Sequence, residues 1–206
     1  GGALEAFLMK QAASVTTVTH AFIEHFVAAR GVPLERMSFL PNGADTERLR
    51  PLPRDTAFAA ELGVGDRKVF TYAGTMAPYQ GLETLIDTAK RLQHRKDIVF
   101  LMVGNGPVRD KLVAAAEGLP NLLFRDSPFS DMQRLMSVTE ASLVVLRGMQ
   151  IARKMRLSKA IPPMACGVPV ILRDESMTTA VAHEMLLEAG ARRRKRRDSI
   201  DAAAAA

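Results

Sequence analysis

The sequence predicts an α/β domain built on a doubly wound, Rossmann-like parallel sheet, and three observations carry that prediction. Short Val/Ile/Leu-rich runs alternate with amphipathic helical stretches through most of the chain. Those runs are nearly continuous in apolar residues, as suits strands covered on both faces. Glycine-bearing turns stand where two of the strands give way to helices, at Gly74 and at Gly104-Asn105-Gly106.

Taken in order, VTTV (15 to 18) reads as a strand, and Thr19 can cap the helix HAFIEHFVAAR, whose Phe22, Phe26 and Ala29 share one face. RMSFL (36 to 40) is the next strand, closed by the turn Pro41-Asn42-Gly43, after which Asp45 can cap a short helical turn. The proline-bearing stretch 50 to 55 is the candidate boundary, so 1 to 50 reads as the end of one domain and 51 to 190 as another. Within the second, a helix at DTAFAAELG precedes five strand-helix pairs. They are KVFTYAG with GLETLIDTAKRL, DIVFLMVG with GPVRDKLVAAAEG, NLLFR with DMQRLMSV, ASLVVL with a segment around Ser158, and VPVIL with a helix inside TTAVAHEMLLEAG. Pro107 is placed as the first residue of its helix.

The chain of 206 residues is 48% hydrophobic, enough for a sizeable core. No apolar run reaches membrane-spanning length and the start lacks a signal-peptide pattern, so the expected compartment is the cytoplasm. The single Cys166 has apolar flanks and reads as a core residue; the four histidines show no zinc-ligand spacing, and no metal site is expected. The net charge of +6 comes from RRRKRR at 192 to 197: without it, 22 cations face 22 anions. That block reads as a solvated segment in a basic, alanine-rich tail (191 to 206), and no nucleic-acid partner is expected.

Ligands of such sheets bind at the carboxyl ends of the strands. Gly74 would let a phosphate approach the backbone, and Thr75 could donate a hydroxyl hydrogen bond to it. Neither glycine loop matches the dinucleotide or Walker pattern, and each alone reads equally well as an ordinary βα turn. The cations Arg153, Lys154 and Lys159 form a cluster that could meet an anion, or a solvated basic loop.

The order VFTYAGTMAPYQGLETLIDTAKRL, DIVFLMVGNGPVRDKL, PNLLFRDSPFSDMQRLMSVTEASLVVLR and LSKAIPPMACGVPVIL resembles the C-terminal domain of glycosyltransferase family 4. Upstream, VTTVTHAFIEHFVAARGVPLERMSFLPNGADTERLRPLP is similar to that family's passage out of the acceptor domain. The resemblance implies one half of a GT-B fold, a nucleotide-diphosphate sugar as substrate, no cofactor and no bound metal. It implies a donor-binding set of Gly74, Thr75, Gln80, Gly81, Gly104, Gly106, Arg125, Ser158 and Lys159. Gln80-Gly81 falls where the family often has Lys-Gly, which would remove one diphosphate-binding cation. It assigns no catalytic residue to this chain.

The departures concern Leu157 and Pro162-Pro163, where related sequences read P-S-K-x-x-E-Y: the glutamate that would accept from the donor ribose is a proline. The positions of the wider family's paired glutamates fall on Lys154 and Pro162. Proline inside a helix removes a hydrogen bond and crowds the preceding turn, at about 3 kcal/mol or more. Residues 158 to 162 are therefore expected to be irregular or extended, with the helix starting at Pro163. The chain reads as a donor-binding half lacking the N-terminal acceptor domain. The implied activity is sugar transfer to a glycan or lipid-linked acceptor, in the cytoplasm at the inner membrane surface, with weak or no turnover. A noncatalytic Rossmann-like interaction module, whose basic tail meets an anionic membrane surface or polymer, is the alternative.

Overall fold

The structure, a computed structural model, describes residues 2–126, 129–147 and 158–174. Helix α1 (Gly2–Gln11) buries no residue and is tied to α2 by an ion pair of 2.8 Å between Glu5 and Arg30. Strand β1 (Val15–Thr17) pairs in parallel with β2 (Met37–Phe39), and α2 (His20–Arg30) connects them. Thr19 caps α2 as expected, its hydroxyl accepting from the Phe22 N–H at 3.2 Å, and Gly31 ends it in the left-handed region at φ 65°. Phe22 and Phe26 stack at 5.6 Å on the half-buried face, whereas Ala29 is exposed. Thr19→Ala should loosen the first turn by about 1 kcal/mol, read as several-fold faster hydrogen exchange at the Phe22 amide.

Asp45 does cap a turn: its Oδ1 accepts from the Glu47 and Arg48 N–H groups, both at 3.1 Å. Asp55 caps α3 (Thr56–Glu61) by accepting from the Phe58 N–H at 2.8 Å, which holds its carboxyl below the ordinary value. The same carboxylate takes Arg134 Nε at 2.9 Å, and the guanidinium lies 4.3 Å over the Phe58 ring. One arginine thus joins α3 to α6 (Met132–Val138).

The main sheet has five strands in the order β5-β4-β3-β6-β7, and every pairing is parallel. They are β3 (Lys68–Ala73), β4 (Ile98–Val103), β5 (Leu122–Arg125), β6 (Thr139–Leu146) and β7 (Val170–Asp174). The crossovers carry α4 (Glu83–Arg91), α5 (Arg109–Ala115), α6 and α7 (Ile161–Ala165). All six residues of β4 are buried, and they alternate between two cores. Phe100 and Met102 face Leu85, Ile86 and Leu112 of α4 and α5, whereas Val99 and Leu101 face Phe58, Leu135 and Met136 of α3 and α6. Continuous apolar runs are what a strand with helices on both faces requires. The chain builds outward from β3 to β5, then returns to the other side of β3 to lay down β6 and β7. The order therefore reverses between β3 and β6, and at such a reversal the flanking loops diverge and open a crevice at the carboxyl ends.

Three expectations need correction or limits. Pro107 lies in a turn, and α5 begins at Arg109 instead, because the Met76 carbonyl takes the Val108 N–H at 3.2 Å and the Gly106 carbonyl takes the Arg109 N–H at 3.1 Å. Residues 158 to 162 are not extended: a 3-10 turn over Ser158–Ala160 runs into α7 at Ile161. Both prolines sit in the first turn of α7, where N–H groups have no intrahelical acceptor, so their missing donors cost no bond. Pro162 and Pro163 instead supply carbonyls, to the Cys166 N–H at 3.0 Å and the Val168 N–H at 2.8 Å. The α region disfavoured before proline is nonetheless adopted at Ile161, and no regular α-helix covers 158 to 166. The helix within TTAVAHEMLLEAG and the tail lie outside the described residues. Cys166 is buried in the second core, which pushes its thiol up to about 11.

Candidate functional site

The two glycine loops meet at the carboxyl ends of β3 and β4 and are joined by their backbones. The Gly74 N–H donates to Val103 O at 2.9 Å and the Met76 N–H to Asn105 O at 2.8 Å. Gly74, Gly104 and Gly106 have φ of 147°, 126° and 154°, where side chains are rarely tolerated. A Cβ on Gly104 would run into the Gly74 carbonyl, and one on Gly106 into the Met76 carbonyl. Both glycines are thus required by loop-to-loop packing, whatever ligand the loops hold.

Lys159 crosses from the 3-10 turn after β6 to lie on Gly74, where a Cβ would stand 2.7 Å from its Cε. Its Nζ donates to the Tyr72 hydroxyl at 2.8 Å and, weakly, to Thr75 O at 3.5 Å; the ammonium is 5.0 Å from the centre of the Tyr72 ring. Tyr72 is fully buried on β3, and its hydroxyl donates to Thr75 O at 2.6 Å. No carboxylate pairs with Lys159 among the described residues, and desolvation holds its ammonium down at about 8. A partly buried cation without a counter-ion, set against a glycine at the sheet's reversal point, is an arrangement that an anion completes.

Thr75 is exposed directly after Gly74, and Ser158 is exposed one residue before the lysine. Gln80 is buried in the 3-10 turn Pro78–Gln80, and Gly81 follows in the left-handed region at φ 65°. A Cβ on Gly81 would stand 3.0 Å from Arg147 Cγ, so glycine lets that arginine lie on the loop. Arg147 follows β6 directly: its N–H donates to Tyr79 O at 3.0 Å, and its guanidinium pairs with Glu83 at 2.9 Å. The Gln80-Gly81 loop thus has an arginine beside it after all, supplied from β6. Arg125 is oriented elsewhere, donating to Leu62 O at 3.1 Å and Phe124 O at 2.8 Å, and so fastens β5 to the end of α3. Only its carbonyl meets the glycine loops, accepting from the Gly104 N–H at 3.3 Å. Arg153 and Lys154 lie outside the described residues.

Tyr72 and Arg147 are the residues that sequence reasoning passed over. A tyrosine in a buried strand needs a partner for its hydroxyl, and an arginine directly after an apolar strand stands at the ligand-binding edge. Among the described residues no group of three His, Cys, Asp or Glu is spaced to hold a metal ion, and no helix is long and apolar enough to cross a membrane.

Comparison with known proteins bears on this arrangement. WcaI of Escherichia coli K12, named for glycosyl transfer in colanic acid biosynthesis, is 27% identical over 138 residues, 64% of this chain and 33% of WcaI. A GDP-mannose-dependent alpha-(1-6)-phosphatidylinositol monomannoside mannosyltransferase of Mycobacterium tuberculosis H37Rv is 32% identical over 103 residues, 48% of this chain and 26% of that protein. HepE of Anabaena, solved in complex with UDP and glucose, superposes with a TM-score of 0.65 at 19% identity, covering 83% of this chain and 47% of HepE. The chain thus spans a third or less of the two curated relatives and about half of HepE. The likeness to HepE shows the shared fold, and the model of the family described as "Glycosyl transferases group 1" matches residues 67–205. This chain, with its five-stranded parallel sheet, belongs to the glycosyl transferases group 1 family.

Proposed function

We propose that the chain is the donor-binding part of a glycosyltransferase, taking a sugar from a nucleotide-diphosphate sugar for transfer to a glycan or lipid-linked acceptor. The observation that supports this reading most is the Lys159 ammonium, unpaired by any carboxylate among the described residues and resting on Gly74. Breaking the sugar–phosphate bond leaves charge on the diphosphate, and a fixed cation stabilises that growing charge more than it stabilises the intact donor. A helix N-terminus contributes little here: α7 has five residues and begins two positions after Lys159. Gly74 gives a phosphate close approach to backbone, and Thr75 offers its exposed hydroxyl. Arg153 and Lys154, close in sequence, belong to the same proposed set, as does the Gln80-Gly81 loop with its neighbouring arginine.

Pro162 stands where related sequences carry the ribose-binding glutamate, so this reading rests binding on the phosphates and expects weak or no turnover. This reading puts the reaction on the cytoplasmic side at the inner membrane surface, an anionic partner that the composition of 192 to 197 would favour by charge alone. The relatives' names include GDP-mannose and UDP with glucose, so both bases belong in the test. Isothermal titration of the chain with UDP and GDP should give saturable binding, stronger than that of the matching monophosphates. The absence of heat and of any rise in Tm with either diphosphate would remove the reading.

A further inference from the structure

The hydrogen-bond chain beneath Lys159 has a direction set by chemistry. The Thr75 carbonyl can only accept, the lysine ammonium can only donate, and the Tyr72 hydroxyl has a single proton. That proton therefore goes to Thr75 O at 2.6 Å, which turns an oxygen lone pair toward Lys159 Nζ at 2.8 Å. Tyr72 keeps the proton, because burial pushes the phenol above its ordinary value. Its ring is locked in the first core among Met76, Leu82 and Leu143, so the hydroxyl cannot follow a moving lysine. From the opposite side Gly74 leaves room for the lysine's Cε, and any side chain there would expel it. A lysine side chain is otherwise a long, freely rotating cation.

We propose that Tyr72 is a positioning residue for Lys159, with its hydroxyl, oriented by the Thr75 carbonyl, holding the ammonium over Gly74 where the donor's phosphates arrive. The inference rests on the donor-binding reading for its ligand, but the contact itself can be tested without one. The only titratable group contacting the ammonium among the described residues is Tyr72, which in turn feels Tyr79. One of the ammonium's three donors is given to Tyr72 and a second leans weakly on Thr75 O at 3.5 Å, which leaves the third for a phosphate oxygen.

Competitive acylation of the full chain across pH 6 to 11, read by mass spectrometry at Lys159, should place half-protonation of the wild type near 8. In Tyr72→Phe the charged form loses its acceptor, so that midpoint should move lower while circular dichroism reports an intact fold. An unchanged or raised midpoint overturns the inference whether or not any nucleotide binds. The second arm measures UDP and GDP binding in wild type, Tyr72→Phe, Lys159→Met and the double variant. Tyr72→Phe should weaken diphosphate binding roughly tenfold in the wild-type background and leave it unaltered in the Lys159→Met background. An equal loss in both backgrounds would mean that the tyrosine acts through general packing, which overturns the inference. A wild type that binds no diphosphate while the Lys159 midpoint still shifts would defeat the donor-binding reading alone. If Tyr72→Phe does not fold, Gly74→Ala, which displaces the lysine from the other side, should raise the Lys159 midpoint toward its ordinary value as the ammonium returns to water. A midpoint fixed near 8 in that variant overturns the inference.

Discussion

Replacing Lys159 by Met is expected to weaken binding of UDP and GDP by roughly a hundredfold at pH 7, with little change in far-ultraviolet circular dichroism. The methionine keeps most of the apolar stem that lies on Gly74 and removes the charge. In wild type, affinity should fall as pH rises through about 8, where the ammonium loses its proton. The terminal phosphate gains, not loses, charge as pH rises past its second pKa of about 6, so a decline in affinity reports the lysine and not the ligand. Calorimetry in buffers of different ionisation enthalpy should show proton uptake on binding near pH 8, absent in the variant. The same group predicts a trend in stability. Its folded value lies below the ordinary 10.5, so between about 8 and 10.5 the unfolded chain binds more protons than the native one. Stability therefore rises with pH through that window, and the cost of burying the charge is fully present below it. Denaturant midpoints measured at pH 7.5 and 10.5 should show this rise in wild type and its loss in Lys159→Met. A variant that binds like wild type, with the same pH profile, would place the phosphate contact elsewhere.

Gly104→Ala is expected to cost about 3 to 5 kcal/mol of stability, combining backbone strain with forced separation of the two loops. The methyl would meet the Gly74 carbonyl, and Gly74 is itself anchored by its N–H, which donates to Val103 O at 2.9 Å, so neither side can yield without breaking a strand end. Gly118→Ala is the control. Its φ of 78° also disfavours alanine, though less than the 126° of Gly104, and nothing lies within 4 Å of the added carbon. It should cost only about 1 kcal/mol, from the backbone alone. Urea denaturation of the two variants separates these contributions, and equal losses would show that loop packing is not what demands glycine at 104.

Much of this architecture was legible from the residues themselves. The nearly continuous apolar runs at 98 to 103 and 141 to 146 declared strands covered on both faces, and the caps at Thr19 and Asp45 announced the turns they make. Pro162 and Pro163 misled because a proline's cost depends on its place in the helix. That place was decided by the 3-10 turn ahead of them, a feature without a pattern of its own in sequence. Arg125 was drawn into the site by the resemblance alone, and its side chain is committed to the Leu62 carbonyl instead.

The sequence by itself determined the strand and helix order, the parallel sheet that follows from it, and the glycine turns at the carboxyl ends of β3 and β4. These depend on local periodicity and on short-range turn chemistry, both readable along one chain. Tertiary structure alone decided which polar groups meet: Lys159 with Tyr72 across 87 positions, Arg147 with Glu83, and Gly104 with the Gly74 carbonyl. Such pairs depend on how β3 comes to lie between β4 and β6, and a contact formed across a folded sheet leaves no spacing by which sequence could announce it.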